Sequence, residues 1–188
     1  DLDVACLERN LERMISAGVD GLFVLGSSGE VAFSTDARRD EILRESLRVV
    51  AGRVPVLAGV IDMQTERVIE HTQRAEALGA AAVVATAPFY ALGGPVDTEA
   101  HFRAIAAATA LPVFASDIPV CVHRKLGAEM LVRLGSEGVL AGVKDSSGDD
   151  VGFRDLVLRN REAGSPLDLL TGHEVVVDSM AMIGADGA

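Results

Sequence analysis

The sequence predicts an α/β fold, and within that class a (β/α)8 barrel (TIM barrel) of which this chain carries only part. Six short runs are apolar almost throughout, as strands buried on both faces of a parallel sheet are. Amphipathic stretches with helical spacing separate the runs, which begin about 26 to 34 residues apart, the length of one β/α unit. The predicted strands lie within Gly21–Gly26, Pro55–Val60, Ala81–Pro88, Pro112–Pro119, Val139–Asp145 and Leu167–Gly172.

A doubly wound open sheet is the alternative arrangement of such units. Regular repetition without a glycine-rich nucleotide-binding loop favours the barrel. The chain has 188 residues, whereas a whole barrel needs roughly 250. Because the sequence begins in a helical pattern and stops at the start of a strand pattern, we expect one incomplete domain over residues 1–188. A strand would precede residue 1, and more than one element would follow residue 188.

The stretches between the strands are predicted to be helices. In Asp36–Ala51, for example, Leu43, Leu47 and Val50 fall on one side and charged residues largely on the other. Residues with short polar side chains are available as N-caps, and glycines follow several of the helices. The predicted helices are Asp3–Ala17, Asp36–Ala51, Thr65–Leu78, Thr98–Thr109, Lys125–Leu134 and Val151–Glu162. The predicted N-caps are Asp36, Thr65 and Thr98, and the terminating glycines are Gly18, Gly79 and Gly164.

Composition and charge exclude several classes of protein. With 49% hydrophobic and 24% charged residues, the chain is globular rather than disordered. Its net charge of -11 offers no attraction to phosphate backbones or anionic lipid, so we expect no nucleic-acid or membrane partner. The apolar runs are far shorter than the roughly 20 residues of a membrane helix. Cys6 and Cys121 are far apart and match no metal spacing, so we expect reduced thiols, a cytoplasmic location and no metal.

The active site of a barrel lies at the carboxyl ends of its strands, so those ends supply the candidate residues. Lys144 directly follows the apolar run 139–143 and therefore emerges from a buried strand. Burial disfavours the ammonium and favours the neutral amine, which is the form that condenses with a ketone to a Schiff base. A lysine paired with Asp145 or Asp149 at the barrel rim is the other interpretation, and position alone does not separate the two.

Two other strand ends carry hydroxyl groups. The segment Gly26–Glu30 (GSSGE) can expose backbone N–H groups as an anion nest for a substrate carboxylate, although an ordinary Gly/Ser turn is the alternative. Tyr90, the only tyrosine, follows the third strand. Its hydroxyl can enter the site, or its ring can lie half-buried at an interface. His71 and His101 fall within predicted helices and are expected to be surface or packing residues.

Together these segments resemble the dihydrodipicolinate synthase / N-acetylneuraminate lyase family. Gly26–Glu30 is similar to the family's GTTGE loop, and Val143–Asp149 (VKDSSGD) to its (I/V)KDSSGD segment. Further matches follow in family order along the chain. They are Pro88–Tyr90 to PYY, Asp117–Pro119 to the end of YN(V/I)P, Thr171–Glu174 to (S/T)GxD/E, and Gly184–Gly187 to the glycine-rich start of the last strand.

The resemblance implies a (β/α)8 barrel and a class I lyase that needs no metal or other cofactor. Its substrate would be pyruvate or another 2-oxo acid. Lys144 would form the Schiff base, and the protonated imine would act as an electron sink for carbon–carbon bond cleavage or formation. Ser28, with Gly29 and the N–H groups of the loop, would hold the substrate carboxylate. Ser27 would replace the threonine of the family's proton relay, and Gly172 would lie near the substrate.

The resemblance also implies an assembly. Tyr90 would match the tyrosine that, in the family, reaches into the site of a neighbouring subunit. Family members are commonly tetramers built from dimers, so we expect a homo-tetramer or a homodimer.

Two positions after the fourth strand depart from the family's pattern. The central catalytic tyrosine of YN(V/I)P is Ser116 here, and the asparagine is Asp117. A serine hydroxyl is shorter and far less acidic than a phenol, so it cannot relay a proton in the same geometry. Cys121 occupies the place of an arginine that binds the aldehyde substrate's carboxylate in the synthase, which argues against that reaction. We keep Ser116 as a catalytic candidate, and Asp117 and Cys121 as substrate-binding candidates.

Four functions stay open at this point. The leading one is a lyase or aldolase that acts on a 2-oxo acid. The second is dihydrodipicolinate synthase, which condenses pyruvate with aspartate semialdehyde. The third is a homologue that binds 2-oxo acids but turns over slowly because of Ser116. The fourth is a non-catalytic barrel, which predicts no binding of 2-oxo acids.

Overall fold

A computed structural model describes residues 2–188 and shows one parallel sheet. The strand order follows the chain order without a reversal, and every neighbouring pair is parallel. A doubly wound sheet reverses its order at a switch point, whereas a barrel does not, so the order decides for the barrel. The strands are β1 (Leu22–Val24), β2 (Val56–Gly59), β3 (Ala82–Thr86), β4 (Val113–Asp117), β5 (Gly142–Asp145) and β6 (Asp168–Thr171).

A seventh strand position begins at the carboxyl end of the described chain. Gly187 forms a parallel bridge with Leu170 of β6, and the backbone N–H of Thr171 donates to the Gly187 carbonyl at 2.9 Å. This confirms that the segment Gly184–Gly187 leads from the helix Val177–Ile183 into the next strand. No helix among residues 2–188 has the length and apolar character needed to cross a membrane.

Helices connect the strands on the outside of the sheet. Asp3 caps the first of them, because its Oδ1 accepts a hydrogen bond from the Cys6 N–H at 2.8 Å. Gly18, Gly79 and Gly164 follow helix ends with positive φ, as predicted. The helices are α1 (Val4–Ser16), α2 (Asp36–Val50), α3 (Thr65–Leu78), α4 (Pro95–Ala107), α5 (Pro119–Val122), α6 (Ala128–Ser136), α7 (Asp150–Glu162) and α8 (Val177–Ile183).

The three predicted N-caps were wrong. Thr35, not Asp36, caps α2 by accepting from the Arg38 N–H, and Gln64 precedes α3 without a side-chain cap. Helix α4 starts three residues before Thr98, because Pro95 is preorganised for a first helical turn. Helix α6 begins at Ala128 rather than at Lys125, whose side chain is bound to carboxylates at the ends of the strands.

The sheet is apolar on both faces. Its outer face packs against the helices and includes Val83, Ala115 and Val143, none of which is exposed. Its inner face borders an apolar cavity of about 110 Å³, in the interior of the curled sheet. The residues that line the cavity are Phe23, Leu57, Val84, Phe114, Lys144, Leu170 and Ala188. This burial on both faces is the physical reason that the strands are recognisable as continuous apolar runs.

The two helical histidines are buried, and both have polar partners. His71 Nε2 lies 3.2 Å from Asp62 Oδ2 and 3.1 Å from Arg39 Nη1. His101 lies between α4 and the end of β3 and is 2% exposed. His71 and His101 are therefore packing residues, and the alternative prediction that they lie at the surface was wrong.

Candidate active site

Polar side chains form a row on the inner face of the sheet, at the carboxyl ends of three neighbouring strands. Strand register pairs Thr86 of β3 with Ser116 of β4, and Ser116 with Lys144 of β5. Paired residues on neighbouring parallel strands point to the same face, and strands lie about 4.8 Å apart. Lys144 lines the interior cavity, so all three side chains belong to the cavity side.

Lys144 stands over an aromatic ring. Its Nζ lies 5.2 Å from the centre of the Phe23 ring, which projects from β1 across the interior. Within residues 2–188 it is the one polar side chain that lines the cavity. The amine therefore has an apolar neighbour, and its protonated form is weakly attracted to the face of the ring by a cation–π interaction. It is held at the mouth of a concave space, as a nucleophile toward a small ketone must be.

The alternative interpretation of Lys144, an ion pair with Asp145 or Asp149, does not describe this structure. Asp145 accepts from Lys125 Nζ at 3.0 Å and from the Ser147 N–H at 2.8 Å. Asp149 caps α7 by accepting from the backbone N–H of residue 152 at 2.9 Å. In the part of the chain that the structure describes, Lys144 makes no ion pair, so its amine is available to a ligand.

Gly172 lies directly beside the lysine. A Cβ added at Gly172 would come within 3.0 Å of Lys144 Cε and 2.1 Å of Ser146 Oγ. The backbone N–H of Gly172 donates to the Asp145 carbonyl at 2.7 Å, which fixes the end of β6 against the end of β5. The predicted proximity of Gly172 to a substrate on Lys144 stays a prediction, and this geometry supports it.

The Gly26–Glu30 loop covers the same end of the sheet. A Cβ at Gly59 would meet the Leu25 carbonyl oxygen at 1.9 Å, so only glycine lets the loop approach β2 this closely. Ser28 and Gly29 are exposed, and their N–H groups have no acceptor in the described chain. Free N–H groups on a tight turn are suited to bind a carboxylate. Gly26 lies against the Phe23 ring, so the loop and Lys144 share that ring as a neighbour.

Asp117 is engaged inside the fold. Its side chain is fully buried, and it accepts hydrogen bonds from Lys125 Nζ and from the Leu126 N–H. Burial raises the pKa of Asp117, against the opposing effect of Lys125. Burial alone would lower the pKa of Lys125, but Asp117 and Asp145 outweigh it and raise that pKa. Lys125 therefore stays charged and ties the ends of β4 and β5 together, whereas substrate binding by Asp117 stays a prediction.

Two other candidates, Tyr90 and Cys121, are exposed at the surface of the protomer. Tyr90 is 89% exposed in the loop after β3 and projects into solvent. Its predicted action in a neighbouring subunit's site stays a prediction. Cys121 is an exposed free thiol in α5, and Cys6 is also free. Ser27 is exposed on its loop, while Ser116 is 5% exposed beside Lys144.

Sequence reasoning missed Thr86, Lys125 and the role of His101. Thr86 is one hydroxyl in an apolar run, and only the register shows that it stands beside Ser116. His101 Nε2 lies 3.1 Å from the Thr86 carbonyl oxygen, and its Nδ1 lies 2.9 Å from Thr65 Oγ1. A carbonyl can only accept, so Nε2 carries the proton. Burial lowers the pKa of His101 to about 4, against the opposing effect of that hydrogen bond.

Comparison with known proteins identifies the family. The model of the dihydrodipicolinate synthetase family matches residues 1–188, which is the whole chain. The chain belongs to the dihydrodipicolinate synthetase family. Its members' names include lyases, aldolases and synthases, so the family resemblance of the sequence motifs is confirmed.

Relatives within the family differ in the reaction that they are named for. The "Probable 2-dehydro-3-deoxy-D-pentonate aldolase YjhH" of Escherichia coli K12 is 31% identical over 189 residues, which cover 100% of this chain and 62% of the relative. The 4-hydroxy-tetrahydrodipicolinate synthase of Acidothermus cellulolyticus is 38% identical over 149 residues, 79% of this chain and 48% of the relative. The chain thus spans about half to three-fifths of the length of these relatives.

Solved structures of the family share the fold. YagE from Escherichia coli K12, in complex with pyruvate, superposes with a TM-score of 0.96 at 28% identity over 100% of this chain and 63% of YagE. Dihydrodipicolinate synthase from Acinetobacter baumannii, also complexed with pyruvate, gives a TM-score of 0.93 at 27% identity over 99% of this chain and 63% of that enzyme. The six strands are therefore consecutive units of a family barrel.

Proposed function

We propose that the protein is a class I lyase or aldolase that acts on pyruvate or a related 2-oxo acid. The observation that carries the proposal is Lys144, an amine without a carboxylate partner at the carboxyl end of a buried barrel strand. The amine adds to the ketone carbon, and loss of water gives an imine. Withdrawal of electrons into the protonated imine allows the adjacent carbon to lose a substituent, or a proton, and become an enamine.

The other groups of the site have roles that follow from their places. The exposed N–H groups of Ser28 and Gly29 hold the 2-oxo acid's carboxylate, with Ser27 beside them. Ser116 contributes a hydroxyl next to the imine. Gly172 leaves room for the Lys144 side chain. No metal or other cofactor is required by this chemistry, because the imine itself is the electron sink.

The proposal is tested by trapping the imine with borohydride in the full-length protein incubated with pyruvate. Peptide mass spectrometry then locates the adduct, and residues 1–188 contain just one other lysine, Lys125. We expect the adduct on Lys144 and none on Lys125, which serves as the internal control because its ammonium is held by two carboxylates. Lys144→Met, which keeps an apolar chain over Phe23, should fold and give no adduct. Persistent trapping in that variant would exclude the proposal.

A slow homologue that binds 2-oxo acids is the second candidate, and the observation that favours it is Ser116. Replacing Ser116 by tyrosine supplies the acidic hydroxyl that the family uses at that position. A gain in turnover of a hundredfold or so, the size of a general acid–base contribution, would support the slow homologue. Unchanged or lower turnover supports a lyase adapted to serine. Dihydrodipicolinate synthase is less well supported, because Cys121 supplies no positive charge for an aldehyde substrate's carboxylate.

The assembly and location that we propose follow from the same family. We propose a homodimer or homo-tetramer, because the segment after β3 exposes Tyr90, Leu92 and Val96 at 89%, 55% and 80%. The acidic surface gives no support to nucleic-acid or membrane partners. A cytoplasmic location stays a prediction from the two unpaired cysteines.

A further inference from the structure

Thr86 is a buried hydroxyl without a partner. It is 2% exposed, and its Oγ1 has no hydrogen bond within the described chain. Two other buried side-chain atoms share this condition, Ser46 Oγ in α2 and Arg39 Nε. Leaving a buried donor unsatisfied destabilises a protein, so such a group in a site points to a hydrogen bond that forms in another state of that site.

The position of Thr86 in the sheet shows which group could form a hydrogen bond with its hydroxyl. Val84, two residues earlier on β3, lines the interior cavity, and alternate residues of a strand share a face. Thr86 therefore lies on the cavity side, next to Ser116 and one strand removed from Lys144. The Ser116 hydroxyl likewise has no partner among residues 2–188. Two residues with unpaired hydroxyls thus occupy neighbouring positions in the register, and Ser116 is paired with Lys144.

Hydrogen bonds hold the backbone of Thr86 in place, whereas its side-chain hydroxyl has no hydrogen bond within the described chain. His101 Nε2 donates to the Thr86 carbonyl oxygen at 3.1 Å, and Thr65 Oγ1 donates to His101 Nδ1 at 2.9 Å. This chain of hydrogen bonds connects β3 to α3 and α4. A fixed backbone gives the hydroxyl a defined position, as a residue that orients a neighbour must have.

We propose that Thr86 is a positioning residue. When an imine occupies Lys144, the Thr86 hydroxyl, which is unpaired in the resting structure, turns to donate a hydrogen bond to Ser116 Oγ and so holds the Ser116 hydroxyl toward the imine. The inference rests on the proposed function. Serine has three staggered side-chain rotamers, so without a partner its hydroxyl would spend only part of the time in the productive direction.

The test follows proton exchange at the methyl group of pyruvate in D₂O, which requires imine and enamine but no second substrate. The imine loses a C3 proton, and the enamine takes up a deuteron from solvent. We expect Thr86→Val to slow this exchange about tenfold, the effect of one hydrogen bond. The yield of borohydride-trapped imine and the melting temperature should not fall, because valine replaces an unpaired hydroxyl by a methyl group of similar shape. Thr86→Ser should restore the exchange rate.

Ser46→Ala is the matched control, since it also removes a buried unpaired hydroxyl but lies in α2, outside the site. It should leave exchange unchanged. In a double variant, Thr86→Val should not slow pyruvate proton exchange beyond the rate of Ser116→Ala alone, because Thr86 acts through Ser116. Wild-type exchange in Thr86→Val, failure of Thr86→Ser to rescue, or multiplied losses in the double variant would each overturn the inference. If wild-type protein gives no adduct on Lys144, the proposed function fails and the inference fails with it.

Discussion

At the scale of single residues, the two lysines of the chain have opposite surroundings. Lys125 lies between Asp117 and Asp145, which keep it charged and use its donors. Lys144 lies over an aromatic ring and, among residues 2–188, makes no ion pair with a carboxylate. An ammonium held by two carboxylates links two strand ends, whereas an unpaired amine that lines a cavity is available to react as the proposed nucleophile. The difference arises because Lys144 and Asp145 are consecutive residues of a strand, whose side chains alternate between its two faces. Lys144 points to the interior of the curled sheet, and Asp145 points to the opposite face, toward Lys125.

Gly172 sets the room available to the nucleophile, and Gly172→Ala tests this. The new Cβ would meet Lys144 Cε at 3.0 Å and Ser146 Oγ at 2.1 Å. The Ser146 hydroxyl can rotate away, but Lys144 must shift, and small displacements of a reacting group cost orders of magnitude in rate. We expect trapping of the pyruvate imine to slow at least tenfold, with stability changed by less than about 1 kcal/mol.

Gly127→Ala is the control for that measurement, because a Cβ at Gly127 meets nothing within 4 Å. Its trapping rate should equal that of the wild type. Equal rates in both variants would show that Gly172 does not define the position of Lys144.

At the scale of elements, helix α4 is attached to the site strand through a buried histidine. The pKa of His101 falls to about 4 on folding, from about 6.5 in the unfolded chain. Between these two values the unfolded chain binds a proton that the folded protein does not. The contribution of His101 to the free energy of unfolding should therefore be constant above pH about 6.5 and fall as the pH drops toward 4, by up to roughly 3 kcal/mol.

The variant His101→Gln checks this dependence by denaturant unfolding at pH values from 4 to 8. An amide can donate to the Thr86 carbonyl but does not titrate, so the slope below pH 6.5 should become shallower. It should not vanish, because burial also lowers the pKa of His71. A slope as steep in His101→Gln as in the wild type would contradict the assignment.

The elements themselves were largely predictable from the sequence. Strands buried on both faces leave continuous apolar runs, and helices leave a period of 3.6 residues. Helix starts were less predictable, because Thr98 resembles a cap while Pro95 begins the helix. The candidate site was predictable where a residue stands out by type, as Lys144 does. The roles of Thr86 and His101 could not be predicted, because they depend on register and on contacts between distant segments.

At the scale of the whole molecule, apolar side chains that follow β3 and β4 are exposed in the described protomer. Tyr90, Leu92 and Val96 are exposed after β3, and Val120 is 78% exposed after β4. Tyr90 has a φ of 72°, a left-handed conformation that a tyrosine rarely adopts without compensation. Its ring is almost fully exposed in the single protomer, so the surface around it is free to meet a second copy. These features fit a contact between two copies in which each Tyr90 serves the other's site.

Hybrid assemblies test that arrangement. Tyr90→Phe and Lys144→Met should each be inactive as pure assemblies, the first through loss of a hydroxyl and the second through loss of the nucleophile. In a mixed dimer, the Tyr90→Phe protomer keeps Lys144 and receives Tyr90 of the partner subunit, so one of its two sites is complete. Random mixing by coexpression should then restore about a quarter of wild-type pyruvate exchange, because half of the dimers are mixed. If the coexpressed mixture exchanges pyruvate protons no faster than the two variants measured separately, Tyr90 does not act across a subunit boundary.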